Sequence, residues 1–334
     1  MSDVQLNLLN DFQRGFPLIP TPFDAISHRL GLDTEEVLGT LRRLRQEGAI
    51  SRVGAVFRPN RIGVSTLAAM AVPQGRLAEV ARMVNAYPEI NHNYEREHRF
   101  NLWFVATAAN SAHLERVLRD IEQQAGLPIM RLPMVQDYHI DLGFDLRRTV
   151  ALAHRHRQKP APQGSLELDG IDYALVAAIQ DGLPLVAHPY AEVAAAIGTS
   201  EADVLNRLEQ FLEHDIIKRL GIIVRHHELG FRANAMVVWN IPDERVDEAG
   251  RCVGASGLVN LCYQRPRRLP DWPYNLFCMI HGKDRDAVLA HHEHIRDQCG
   301  LTDFPCEVLF SRQRFKQTGA RYVETQPRKE AEAA

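Results

Sequence analysis

At 334 residues, 45% hydrophobic and 24% charged, the chain has material for two or more domains with sizeable cores, which excludes extended disorder away from the ends. Its net charge of −3 excludes a global positive field, so any basic site must be local. No basic-then-apolar leader opens the sequence and no apolar run approaches the roughly 18 residues of a membrane span, which makes the cytoplasm the expected compartment.

Residues 22–50 carry helical spacing, with Phe23, Ile26 and Leu30 followed by Val37, Leu38, Leu41 and Leu44 after a Gly31–Leu32–Asp33 turn. Asp33 with Glu36 three residues on reads as an N-cap and its capping-box acid. Two short helices on a Gly turn predict a helix-turn-helix, and the "AISRVGAVF" stretch ending at Phe57 predicts the small hairpin of a winged version. Next come a predicted strand over 66–72, helix 76–86, strands 90–97 and 100–107, helix 111–124 and strand 130–140. That βαββαβ order is the ferredoxin-like plan.

The polar, Pro- and Gly-containing stretch 155–165 reads as a linker, and then the whole pattern recurs. Gly182 stands 167 residues after Gly15 (182 − 15), and this offset aligns "GFPLIPTPF" with "GLPLVAHPY" as well as Arg52 with Arg219 and Gly54 with Gly221. Offset 169 pairs Asn91, Tyr94 and Arg96 with Asn260, Tyr263 and Arg265; offset 174 pairs Asn101 with Asn275. Register kept this long is an internal duplication. The predicted fold class is α+β: two winged helix-turn-helix units (1–60 and 168–227), each followed by a ferredoxin-like sandwich (61–148 and 228–322). A linker (149–167) joins the copies and a charged tail (323–334) follows the second.

One strand resists a packing explanation. In "NHNYEREHRF", alternation puts His92, Tyr94, Arg96 and His98 on one side, with Asn91, Asn93, Glu95 and Glu97 on the other. Neither set is a core face, and the second strand of a βαββαβ sheet is expected at an edge, where charges also serve to keep a strand unpaired. A second basic strip at the duplicate position, Tyr263, Arg265, Arg267 and Arg268, favours a ligand wall over simple edge protection.

The two-domain plan resembles the Lrp/AsnC family across nearly all of each half. The motif pair "HNYEREHRFNLWF" and "LCYQRPRRLPDWPYNLFCMIHG" more specifically resembles siroheme decarboxylase in a form fusing two Lrp-like subunits. That resemblance implies removal of CO2 from the C12 and C18 acetates of siroheme, giving 12,18-didecarboxysiroheme on the way to heme d1 or heme. It also implies that the halves pair as a pseudo-dimer around the tetrapyrrole, with a further homodimer left open and no cofactor beyond the substrate's own iron. The residue types agree, because a flat polycarboxylate needs clustered cations, aromatic faces and an imidazole. His92 and His98 are the expected catalytic pair, as proton donor and as iron or carboxylate contact in either order. Tyr94, Arg96, Arg99, Asn101, Tyr263, Arg265, Arg267 and Arg268 are expected to hold substrate. His92 has the apolar partner Leu261, so one working site per chain is expected, with imidazoles from the first copy and guanidiniums from the second.

Two other classes compete. A DNA-binding regulator would press recognition-helix N-termini against phosphates, but these read Asp33, Thr34, Glu35, Glu36 and Ser200, Glu201, Ala202, Asp203. Arg42, Arg43 and Arg45 of the first copy become Glu209, Gln210 and Leu212 in the second, so the helix-turn-helix is read as inherited scaffold without a nucleic-acid partner. A non-catalytic heme carrier would use the same cationic cleft. The five cysteines are expected as buried free thiols. "RHH" (225–227) and the His291/His294 pair have no third ligand at a persuasive spacing, so no metal site is expected, and His281 is a reserve candidate for the cleft.

Overall fold

The structure is a computed structural model that describes residues 3–140, 166–224 and 233–323. The linker core, "RHH" and nearly all of the tail lie outside the described residues.

The helix-turn-helix is present in both halves. Helix α2 (Pro22–Leu30) begins with Pro22, whose missing N–H costs nothing in a first turn, and ends at Gly31 with φ +65°. Asp33 accepts from the Glu35 N–H (2.8 Å) and starts α3 (Thr34–Gln46). The second half repeats this with α7 (Pro189–Ile197), Gly198 and α8 (Glu201–Glu213), capped by Ser200. Each pair is preceded by a helix the sequence pattern did not reveal, α1 (Asp3–Asp11) and α6 (Gly170–Ile179).

The predicted wing hairpin is corrected. Strand β1 (Ile50–Phe57) does not fold back on itself but pairs antiparallel with β7 (Ile217–Val224) of the other half, with Gly54 opposite Gly221. These glycines are duplicates of one another, so a pseudo-twofold axis runs between them. Despite Gly54 the stretch runs as one continuous strand, and pairing across the axis satisfies one edge of each strand. One apolar core then spans both helix-turn-helix units, from Leu8, Phe12 and Leu41 to Val176, Leu208 and Phe211.

The two sandwiches also merge. One nine-stranded sheet runs β5-β2-β4-β3-β11-β8-β10-β9-β6. The first half contributes β2 (Val64–Met70), β3 (Ile90–Arg96), β4 (Leu102–Ala108), β5 (Met130–Pro133) and β6 (Gln136–Ile140). The second contributes β8 (Ala233–Trp239), β9 (Leu261–Gln264), β10 (Leu276–Gly282) and β11 (Cys306–Gln317). The predicted single strand 130–140 is split: β5 pairs with β2 of its own half, while β6 crosses to β9. The long β11 likewise pairs first with β8 and then with β3.

Strand β3 is therefore not at an edge, because β11 of the other half covers it. The expectation failed because one copy's sequence cannot show a strand that the other copy supplies. The outermost strands β5 and β6 are separated in sequence only by Met134 and Val135, so the sheet curls until its ends meet.

Helices α4 (Leu77–Asn85), α5 (Ser111–Ala125), α9 (Val246–Ala255) and α10 (Arg285–Gln298) cover the outer face. The inner face is one core shared by both halves, including Leu67, Trp103, Leu132, Met236, Trp272, Phe277 and Leu309. Among the cysteines, Cys252 and Cys299 form a disulfide and are a correction to the free-thiol expectation; Cys262, Cys278 and Cys306 are free. No helix among the described residues is long and apolar enough to cross a membrane.

Candidate active site

On β3 the alternation holds for three of the four expected residues. His92 and Tyr94 stand opposite Val105 and Trp103, residues of the inner core, so they and Arg96 face into the sheet's interior. Asn93 faces the other way under α4, bonded to Asn85 Oδ1 (2.9 Å) and the Ala81 carbonyl (3.3 Å). The asparagine side is thus a buried, hydrogen-bonded core face, correcting the reading that neither face packs.

His92 keeps partial exposure, yet burial pushes its imidazole down to about 4, with the Arg52 guanidinium adding to the shift. Its Nδ1 bonds Asn91 Oδ1 (3.0 Å) and its ring stacks near Tyr94 at 6.3 Å. Burial raises the Tyr94 hydroxyl, while Arg96 and Arg314 pull it back. An imidazole, a phenol and cations gathered on one inner face can hold carboxylates and move a proton.

His98 lies beyond the end of β3. Its Nδ1 accepts from the Phe100 N–H (2.9 Å), so Nε2 carries the proton and donates to Glu307 (3.1 Å). Glu307 also accepts from the Tyr274 hydroxyl (2.8 Å). The His98 ring stands edge-on to Trp272 at 5.4 Å, and Trp272 packs against Trp103, Phe277 and Tyr274. The four residues therefore do not share one strip: the chain turns after Arg96, and six residues at about 3.3 Å each put His98 near the opposite end of the strand from His92. Burial lowers the His98 imidazole, with Glu307 opposing.

The arginines are tied into the fold. Arg96 donates from Nη1 to the Leu309 carbonyl (3.0 Å), and its duplicate Arg265 donates to the Leu132 carbonyl. Each guanidinium thus pins a strand of the other half, and each lies against its own tyrosine, at 5.7 Å for Tyr94 and 4.4 Å for Tyr263. Burial lowers the Arg96 guanidinium to about 10. Arg96 Nη2 lies 3.7 Å from Met279 Sδ on the inner face.

Arg99 pairs with Asp271 of the other half and is exposed. Arg267 bonds Asp243, Asn240 (3.1 Å), and the carbonyls of Pro273 (3.0 Å) and Ile241. Arg268 bonds the Arg131 carbonyl (2.8 Å). Asn101 brackets Val72 through its N–H (2.9 Å) and carbonyl (2.8 Å), as Asn275 brackets Ile241. These residues brace the insertion and the strand ends, and the structure does not bring them to the inner face around His92.

Sequence reading missed Arg314, Gln317, Arg52 and Glu307. Arg314 stands opposite Tyr94 and Gln317 opposite His92, both on β11 of the other half. Asp137 and Ile140 hold the equivalent register positions opposite Tyr263 and Leu261, but they differ in residue type, so the duplication gave no sequence signal for Arg314 and Gln317. His281 bonds Asn260 Oδ1 (2.7 Å), and His292 is buried near Trp239 (5.8 Å). No cluster among the described residues could hold a metal ion. Arg42 bonds Glu35 and the Leu185 carbonyl (2.9 Å), which ties this cation of the first recognition helix to the other half.

Residues 6–50 and 172–218 match the siroheme decarboxylase NirDL-like HTH domain, and residues 61–139 and 228–316 match the AsnC-like ligand binding domain. A siroheme decarboxylase NirDL subunit from Paracoccus denitrificans is 44% identical over 333 residues, spanning 97% of this chain and 98% of its own. The crystal structure of siroheme decarboxylase NirDL superposes with a TM-score of 0.71 at 27% identity, over 96% of this chain and 95% of that one. A crystal structure of NirDL in co-complex with an iron-uroporphyrin III analogue gives 0.67 at 28% identity, over 96% and 93%. The chain belongs to the siroheme decarboxylase NirDL family.

Proposed function

We propose that this chain is a non-oxidative carbon–carbon lyase that removes CO2 from the C12 and C18 acetates of siroheme, giving 12,18-didecarboxysiroheme for heme d1 biosynthesis. The observation that carries it is the inner strip of β3: His92, Tyr94 and Arg96 face the interior shared by both halves, with Arg314 opposite Tyr94 on β11. The co-complex of a NirDL protein with an iron-uroporphyrin III analogue supports a polycarboxylate macrocycle as the ligand class.

Each step breaks the bond between an acetate methylene and its carboxylate, releases CO2 and leaves the electron pair on the methylene carbon. The conjugated ring stabilises that charge, and one added proton completes a methyl group. No cofactor beyond the substrate's own iron is required for this balance. His92 suits the proton transfer because burial keeps it neutral in the free protein, while arriving carboxylates favour its charged form. His98, with Nε2–H directed to Glu307, is assigned a hydrogen-bonding contact to a substrate carboxylate beyond the other end of the strip. Arg96 orients a carboxylate, and Tyr94 gives an aromatic face for the macrocycle. One chain supplies both walls, so the reading requires no further homodimer.

Anaerobic incubation of the full chain with siroheme, followed by mass spectrometry, tests the reading. The expected result is stepwise loss of two CO2 masses; tight binding with no mass loss leaves a heme carrier instead. Replacing His92 and His98 singly by Ala should slow the loss, and two variants with wild-type rates would remove the histidine assignment.

A further inference from the structure

Two pseudo-symmetric strand pairs face the interior of the curled sheet, β3 with β11 (the first recess) and β9 with β6 (the second recess), and their side chains have diverged. Arg314 faces Tyr94 and Gln317 faces His92 across one strand pair. Asp137 faces Tyr263 and Ile140 faces Leu261 across the equivalent pair. Asp137 to Arg314 and Ile140 to Gln317 are each separated by 177 residues (314 − 137, 317 − 140). The same offset relates Tyr138 to Phe315, each of which packs on the other half's helical layer. The correspondence is therefore fixed by strand register, by sequence offset and by packing together.

At these four matched positions the first recess presents His92, Tyr94, Arg314 and Gln317, and the second presents Leu261, Tyr263, Asp137 and Ile140. A guanidinium in one is a carboxylate in the other, and a polar imidazole–amide pair is a purely apolar pair. The Asp137 carboxylate is held by Arg58 Nη2 at 3.0 and 3.2 Å, and Arg58 also contacts Asp215. Two carboxylates around one guanidinium, with the duplicate arginine Arg265 against Tyr263, leave that recess without a surplus of cations. In the first recess Arg314 is exposed at the mouth, hydrogen-bonded to Gln317 Oε1 (3.1 Å), with Arg96 and Arg52 as further cations deeper in. A polyanion is drawn more strongly to the first recess, where cations are in surplus, than to the second.

Resting on the siroheme reading, we infer that Arg314 is a substrate-carboxylate ligand that the second half contributes to the first half's recess, and that Asp137, clamped by Arg58, closes the twin recess to the same substrate. The chain then holds one tetrapyrrole, and Arg314 sets its selectivity for a polycarboxylate.

The test uses the full chain and siroheme under anaerobic conditions, with binding followed by absorbance and turnover by mass. The wild type should saturate at one siroheme per chain. Arg314→Asp, which copies the twin recess, should weaken binding and raise KM about ten- to a hundredfold, in keeping with loss of a charge-assisted hydrogen bond, with a smaller change in kcat. Arg314→Met should weaken binding less than Arg314→Asp, and Arg314→Lys should recover most of it, which loss of packing alone would not produce. Because Arg314 is exposed, all three variants should melt with the wild type. Wild-type affinity in Arg314→Asp, or an end point of two siroheme per chain, overturns the inference while siroheme turnover by the wild type leaves the activity intact. One-to-one, Arg314-dependent binding without mass loss keeps the inference and removes the activity. A wild type that binds no siroheme overturns both.

Discussion

The largely buried, neutral state of His92 has a measurable consequence in the free protein. Its imidazole sits at about 4 in the folded chain against an ordinary value of 6.5. A base with a lowered folded value binds fewer protons folded than unfolded, so its contribution is complete above the ordinary value. Stability is then lost as pH falls from 6.5 toward 4. At about 1.4 kcal/mol per tenfold change in proton affinity, the full difference is about 3 kcal/mol, of which about 2.5 kcal/mol is lost between pH 7 and pH 4.5. His92→Gln keeps a polar partner for Asn91 and removes the titration. Urea unfolding of both chains at the two pH values isolates His92, since every other acid-labile group is common to them. The wild type should lose about 2.5 kcal/mol more than the variant on acidification. Parallel losses would mean that His92 is solvated or paired with an acid, and its buried, neutral state would fall with it.

Asn275 is almost fully buried and its side chain satisfies both the N–H and the carbonyl of Ile241, so Asn275→Ala should cost about 3 kcal/mol in chemical denaturation. A cost well under about 1 kcal/mol would show that water replaces the bracket. Gly221 lies where a Cβ would stand 2.1 Å from the Gln13 carbonyl oxygen, whereas at its duplicate Gly54 the nearest atom would be 3.0 Å away. Gly221→Ala should therefore destabilise the chain by about 2 kcal/mol or more and Gly54→Ala by clearly less; equal effects would refute the asymmetric packing of the turn after α1 against β7.

The sequence determined each copy's local vocabulary. Pro22 and Gly31 bracket a helix, Asp33 starts the next, and the apolar periods of 76–86 and 111–124 mark α4 and α5. These signals come from propensity and capping, which act within a few residues. The duplication and the chemistry of the β3 strip were legible for the same reason. How the copies combine was not. The exchange of β6 and β11, the pairing of β1 with β7 and the burial of Asn93 depend on contacts between residues far apart in sequence, which no local pattern encodes.

The site divides along that line. His92, Tyr94 and Arg96 could be picked out because alternation on a strand is local, while His98 was misplaced because a turn two residues earlier breaks the period. Arg267 and Asn101 read as ligands from their residue types, yet their bonding partners are brought to them by the insertion and by neighbouring strand ends. Arg314 and Gln317 became visible only when β11 crossed the pseudo-twofold axis to lie beside β3. Sequence fixes which side chains a strand offers to one face; the fold decides what stands opposite them.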